Sequence, residues 1–283
     1  MGYTNLERML SNAKVEKYAV GAFNIVDYST TRAVIKVAEK KKSPVIIQTS
    51  TKTVKFYGYK HIVSWVKTLT GDMVIPVALH LDHCNDIDII EKCIDAGWSS
   101  VMIDASSYPL EENIRMSREV VEMARPKNVT VEGELGSILG VEDDLILTEH
   151  DSHLADVESC VRYLKETGVD VLAPAIGTAH GVYIKTPNID FGLLKEIAEK
   201  TNIPLAIHGG TGLSPDMFKK CIESGGVKVN ISTNIKHLFK DALEEYFEAS
   251  TDYEPIKAIQ HLETRVMEGV GDLIESFGSA NRA

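Results

Sequence analysis

Apolar and polar positions along the chain follow two alternating rhythms. Short, nearly continuous runs of Val, Ile, Leu and Ala are separated by longer stretches in which apolar residues recur every three to four positions. The first rhythm predicts buried parallel strands over Tyr18–Phe23, Val45–Gln48, Val77–Leu81, Ser100–Ile103, Thr130–Leu135, Val171–Ala175, Leu205–His208 and Val227–Ile231. The second predicts helices, among them Asp86–Ala96, Leu110–Ala124, Asp190–Lys200 and Ser214–Ser224. Asp190 and Ser214 suit N-cap positions, and Pro215 suits a first helical turn. Eight strands joined by crossover helices predict an α/β protein, a (β/α)8 TIM barrel rather than an open sheet. Two further helical stretches, Ile235–Glu248 and Ile256–Phe277, follow Asn234 and part at Tyr253-Glu254-Pro255. No low-complexity segment or linker intervenes, so residues 1–283 are expected to form one barrel domain, for which about 250 residues suffice.

Composition narrows the class. A hydrophobic fraction of 44% supports a large core, and a net charge of −11 argues against nucleic-acid and membrane surfaces as partners. An anionic substrate must then be met by a local positive site. The start, MGYTNLERML, is too polar for a signal peptide, and no run approaches the roughly 20 apolar residues of a membrane span. Cys84, Cys93, Cys160 and Cys221 lack CxxC spacing and read as reduced thiols, which predicts a cytoplasmic location. Cys84 adjoins His83, but neighbouring strand residues face opposite ways, so it is not expected to be a ligand.

The candidate chemistry sits at strand ends. His83, His180 and His208 each close an apolar run, in VALHLDH, APAIGTAHG and PLAIHGGTG. A single histidine there is most often structural. Three converging from different strands suit a borderline cation such as Zn²⁺ with one coordination position left for substrate. The other strand ends carry polar groups as well: Asn24, Ser50, Asp82, Asp104, Glu134 and Asn230. Each alone reads as an ordinary turn or capping residue. Together they mark the C-terminal face, where barrel enzymes keep their active sites. Asp104 and Glu134 are the most telling, because a carboxylate near a barrel core needs a cation or several donors. The last two strands close with His208-Gly209-Gly210-Thr211-Gly212 and Val229-Asn230-Ile231-Ser232-Thr233, loops suited to hold phosphate on backbone amides and hydroxyls.

The motifs HLDH, DAS, EGELG, AIGTAHGVY, HGGTG and KVNIST, in this order, resemble those of the class II, zinc-dependent ketose-bisphosphate aldolases, from about Asn5 to Gly278. The resemblance implies reversible aldol cleavage of a ketose 1-phosphate or 1,6-bisphosphate to dihydroxyacetone phosphate and an aldehyde, through an enediolate stabilised by the metal. By it, His83, His180 and His208 bind catalytic Zn²⁺, and Asp104 and Glu134 serve a second or alternate cation position. Asp82 is the acid/base on the aldehyde oxygen, and Glu142, on a Gly136–Leu145 loop, moves the proton on the dihydroxyacetone phosphate carbon. Asn24, Ser50, Gly181, Gly209, Gly210, Thr211, Asn230, Ser232 and Thr233 contact substrate. A homodimer or homotetramer joined through the C-terminal helices is also implied.

The chain departs from the family pattern in places. Bisphosphate-cleaving members carry an arginine after Tyr-x-Pro, where Tyr253-Glu254-Pro255-Ile256 has isoleucine. Either Lys257 or Arg265 substitutes, or the distal group is not phosphate: a deoxy sugar, a carboxylate or a sulfonate, as in 6-deoxy-6-sulfofructose 1-phosphate. Ser232 stands where fructose enzymes tend to have aspartate and tagatose enzymes alanine, Leu139-Gly140-Val141-Glu142 lacks the usual glycine pair, and Pro174 interrupts the sixth strand. Two competing readings remain open: a metal-dependent barrel hydrolase, and a Schiff-base aldolase using Lys228, the one lysine in a predicted strand.

Overall fold

Eight strands close into a parallel barrel in a computed structural model that describes residues 2–136, 138–142, 145–147, 153–181 and 187–283. They are β1 (Val20–Asn24), β2 (Val45–Ser50), β3 (Pro76–Cys84), β4 (Ser100–Ile103), β5 (Thr130–Leu135), β6 (Val171–Pro174), β7 (Leu205–Ile207) and β8 (Gly226–Ile231). Each pairs with its sequence neighbour, and β8 returns to β1 through Lys228 opposite Val20 and Asn230 opposite Ala22. The predicted TIM barrel is the architecture observed. β4 and β5 have the predicted bounds. β3 runs further both ways: its first residues also pair with a short strand at Gly2–Tyr3, and its last pair with β2 and β4, Asp82 opposite Ser50 and Cys84 opposite Ile103.

Period-two alternation sorts each strand between two cores. Outward residues such as Phe23, Ile47, Leu79, Val101, Val229 and Ile231 join the shell packed under the helices. Inward residues near the strand starts, Val20, Ile46, Ala78 and Ala206, are small or aliphatic. Helix Glu7–Glu16 plugs the barrel beneath them with Met9, Leu10 and Ala13. That helix was not predicted, for its sequence ERMLSNAKVE offers only a narrow apolar stripe.

Caps fix where the helices begin. Asp86, Asp156, Asp190 and Ser214 each accept a backbone amide of the first turn, as foreseen for the last two. The tail forms helices Thr233–Ala249 and Pro255–Ser276. The second lies along helix Tyr28–Lys40, where Arg32 Nε donates to the buried Glu263 at 2.6 Å. Where a Gly136–Leu145 loop was expected, Leu139–Glu142 and Leu145–Leu147 pair as an antiparallel hairpin. Its first strand also pairs in parallel with Ala179–His180, so this excursion satisfies its backbone groups by a ladder of its own. Among the described residues no helix is long and apolar enough to cross a membrane.

Candidate metal and substrate site

Moving up the inward face, the same alternation that delivers aliphatic residues low in the barrel delivers titratable ones higher. β3 turns His80 and then Asp82 inward, β5 Glu132 and Glu134, β8 Lys228 and Asn230. His80, Glu132 and Lys228 are completely buried. Such charges persist only when paired. Lys228 Nζ lies 2.9 Å from Glu132 Oε2 and donates to Asn230 Oδ1 at 2.7 Å. Glu132 Oε1 accepts from His208 Nε2 at 2.8 Å, and His80 Nε2 stands 3.6 Å from Glu132 Oε2. Burial alone would push the Glu132 carboxyl up, but Lys228 and His208 bring it well below the usual carboxylate range. Burial also lowers His208 from its ordinary value, so its imidazole is neutral near pH 7.

Above this layer the predicted metal residues come together. One nitrogen from each of His83, His180 and His208 lies within 4.8 Å of the others, and His83, Asp104 and Glu134 form a second such group. His208 Nδ1 is buried without a hydrogen-bond partner, 3.4 Å from Glu134 Oε2. With Nε2 committed to Glu132, that nitrogen presents its lone pair to the centre. Three imidazoles, one of them neutral by burial and oriented by a carboxylate, fit a divalent cation. Asp104 Oδ2 is 2.8 Å from His83 Nδ1, while its Oδ1 accepts from the Ser106 amide and hydroxyl. Burial raises the Asp104 carboxyl, but His83 and Ser106 outweigh it and bring it down to about 2.

Asp82 and His83 are adjacent yet both reach this site. The backbone makes that possible: His83 has φ 41°, in the left-handed region, and the β3–β4 register shifts between Leu81 and Cys84. Cys84 is turned to the outer core, as expected, its Sγ donating to Asp86 O. Asp82 is 1% exposed and accepts from Asn24 Nδ2 at 2.8 Å and Asn230 Nδ2 at 3.0 Å. Gln48 Nε2 donates to Asn24 Oδ1 and Lys228 Nζ to Asn230 Oδ1, which fixes both amides. Asn24 and Asn230, expected at the substrate, thus spend their amides on Asp82. Lys228 is fully buried between Glu132 and Asn230, which leaves the Schiff-base reading without an open amine.

Beside the metal residues, His180, Gly181, Gly209, Gly210, Thr211, Asn230, Ser232 and Thr233 line a small polar pocket with Lys236. Gly209 has φ 69°, and a Cβ there would stand 2.3 Å from Ala179 O, so only glycine lets this loop pass. Gly181 has φ 91°, and among the described residues nothing lies within 4 Å of where a Cβ would project. Helix Thr233–Ala249 starts at this pocket, and its N-cap Ser232 makes no side-chain cap. The Asn234 amide of that first turn donates to Thr211 Oγ1 at 3.3 Å, which ties the glycine-rich loop to a helix N-terminus, a place suited to an anion. Ser50 lies across the barrel mouth with Asn24. Glu142 ends its hairpin strand, and its side chain lies outside the described residues. His80, Glu132, Gln48 and Ser106 went unnoticed in the sequence. The signal for three of them was present: each sits two residues before a chosen strand-end residue, on the same face.

The family described as fructose-bisphosphate aldolase class-II matches residues 4–282. The 6-phospho-5-dehydro-2-deoxy-D-gluconate aldolase of Shouchella clausii (strain KSM-K16) is 39% identical over 287 aligned residues, covering 100% of this chain and 97% of its own. The fructose-bisphosphate aldolase of Geobacillus stearothermophilus is also 39% identical, covering 100% and 99%. Among solved structures, the YdjI aldolase from Escherichia coli K12 superposes with a TM-score of 0.88 at 29% identity, covering 99% of each chain.

Proposed function

The chain belongs to the class-II fructose-bisphosphate aldolase family, carbon–carbon lyases acting on sugar phosphates, and from that premise we propose zinc-dependent, reversible cleavage of a ketose 1-phosphate to dihydroxyacetone phosphate and an aldehyde. The observation that carries the proposal is the convergence of His83, His180 and His208 beside a glycine-lined anion pocket. In this reading those histidines hold the ion, with Asp104 and Glu134 at a second position. A divalent ion there supplies Lewis-acid stabilisation of the negative charge left when the carbon–carbon bond breaks.

The chain's own residues do the rest. Gly181, Gly209, Gly210, Thr211, Ser232 and Thr233 seat the phosphate and so fix the ketose along the barrel mouth. Asp82, aimed by Asn24 and Asn230, takes the proton from the hydroxyl that becomes the aldehyde oxygen. The electron pair of the broken bond stays on the dihydroxyacetone phosphate half. Glu142 then returns a proton to that carbon, and condensation runs the same transfers backwards. Membership in a lyase family leaves the hydrolase reading without support. The C-terminal helices would join two or four copies, an assignment supported by the exposed Phe247 and Tyr253 near their junction.

A second reading concerns the distal end. Ile256 is exposed where an arginine was sought, Lys257 is paired with Asp252, and Arg265 with Glu245 and Glu268. These observations favour a substrate whose far group is not phosphate. The Shouchella relative acts on a phosphorylated keto acid with a carboxylate at the end remote from its phosphate. The test is cleavage coupled to glycerol-3-phosphate dehydrogenase across ketose 1-phosphates, with and without EDTA and added zinc. Chelator-sensitive release of dihydroxyacetone phosphate is expected. No release from any substrate would overturn the proposal.

A further inference from the structure

On the helix side of β5, three buried polar side chains form a line that ends at the site. Asn113 and Ser117 lie one turn apart on helix Leu110–Ala124, and Tyr163 lies on helix Val157–Thr167. Asn113 Nδ2 donates to the backbone carbonyl of Glu134 at 2.9 Å, and Ser117 Oγ donates to Asn113 Oδ1 at 3.1 Å. The single Ser117 hydroxyl hydrogen is thereby spent, so the Tyr163 hydroxyl, 2.7 Å away, donates to Ser117 Oγ. Every bond in the line points toward Glu134, and hydrogen bonds in such chains polarise one another. Gly133 makes room for the line: a Cβ there would stand 2.1 Å from the Tyr163 hydroxyl oxygen.

Strand register explains why that carbonyl takes a side-chain donor. Leu135 O accepts from the Ala175 amide, on the β6 side. Successive strand residues aim their backbone groups at opposite neighbours, so Glu134 O faces β4. There β4 last pairs with β5 at Ile103, opposite Gly133, one residue short of Glu134. Asn113 supplies the donor that the shorter strand does not. Apolar side chains of like volume would pack here without the cost of burying polar groups, but they could not hold this carbonyl. Its residue is one whose placement matters. Glu134 Oε2 lies 3.4 Å from His208 Nδ1 and 3.8 Å from His83 Nδ1, and groups with His83 and Asp104. We propose that Asn113, aimed by Ser117 and Tyr163, is the positioning residue for Glu134 and thereby sets the affinity of the second cation position. The inference rests on the reading of Asp104 and Glu134 as that position.

The test is to strip the protein with a chelator and titrate it with Co²⁺, following visible absorption and heat, with circular dichroism to verify folding. Wild type should take up one ion tightly and a second more weakly. Asn113→Leu keeps the side-chain volume and removes the donor. It should weaken the second step about 10- to 100-fold while the first changes far less. Ser117→Ala and Tyr163→Phe, which leave Asn113 in place, should weaken the second step by smaller factors, and Ser117→Thr, which keeps the hydroxyl, should restore it. Val120→Ala, equally buried on the same helix, should lower the melting temperature and leave the ratio of the two affinities unchanged, which separates positioning from general loosening. An unchanged ratio in folded Asn113→Leu would overturn the inference. If that variant does not fold, an unchanged ratio in both Ser117→Ala and Tyr163→Phe would do so. A wild type that releases dihydroxyacetone phosphate yet binds one ion only would overturn the inference and leave the proposed function intact. Two-step binding with the expected ratios, but no dihydroxyacetone phosphate from any substrate, would support the inference and bring down the proposed reaction alone.

Discussion

The lower and upper halves of the barrel interior are equally buried and chemically opposite. Below, Leu6, Met9, Leu10 and Ala13 pack under Val20, Ile46, Ala78 and Ala206. One step up the barrel, Gln48, His80, Glu132 and Lys228 are fully buried as well. Low in the barrel, burial is itself the driving force, worth about 25 cal/mol per Å² of apolar surface. Higher up, burial is a cost offset only because each charge is fastened to another. The chain of contacts runs from His208 through Glu132, Lys228 and Asn230 to Asp82. The upper half therefore behaves as a positioning device that joins a candidate metal ligand to the candidate acid. The lower half is a foundation whose residues can be exchanged for others of like volume.

Substitutions in the two halves should separate along that line. The largest effect is expected at Asp82. Asp82→Asn should cut kcat by about 10²–10⁴ while metal binding and melting temperature stay close to wild type. Lys228→Met removes a cation of similar length and leaves Glu132 uncompensated. It should cost about 3–5 kcal/mol of stability and also weaken zinc binding, because His208 loses its fixed partner. In the lower half, Leu10→Ala should cost about 2–5 kcal/mol by opening a cavity, yet leave kcat/KM and metal content intact. Denaturant melts and metal analysis of these two variants together form the sharpest contrast. If Leu10→Ala lost metal as readily as Lys228→Met, the two halves would not be distinct. Glu132→Gln should be milder still, lowering zinc affinity about 10- to 100-fold.

Acid offers a way to stress the upper half alone. His80 and His208 lie below their ordinary value of 6.5, chiefly through burial, so in the metal-free protein they contribute stability above that pH and lose it as pH falls. Glu132 and Asp104 lie below their ordinary values of 4.5 and 3.8, so a further loss follows below about pH 4.5 and continues toward about 2. Chelated enzyme should unfold at progressively lower denaturant from pH 7.5 to pH 4. Stability that rose on acidification over that range would contradict these signs.

How much of this was readable in advance follows from the same physics. Parallel strands covered on both faces are continuous hydrophobic runs, so all eight barrel strands were legible to within a few residues. His83, His208, Asp104 and Glu134 were legible because a polar residue closing such a run has few structural uses. The supporting layer carries no such mark, because its residues lie inside the strands rather than at their ends, although Glu132 and Glu134 share one face of β5, and Lys228 and Asn230 one face of β8. Alternation alone would have put Asp82 and His83 on opposite sides. The left-handed turn at His83 undoes it, and no residue pattern in HLDHC announces that turn. Nor could the sequence indicate that Asn24 and Asn230 are committed to Asp82, since that depends on three strands meeting.

The central claim is that the upper half exists to hold one ion and use it. Its most direct test is to strip the enzyme with a chelator, titrate zinc back, and follow dihydroxyacetone phosphate release from its best ketose 1-phosphate. Activity should rise from near zero to a plateau at one ion per active site, and His208→Ala should stay flat throughout. Full activity in the chelated enzyme, or in His208→Ala, would contradict the account.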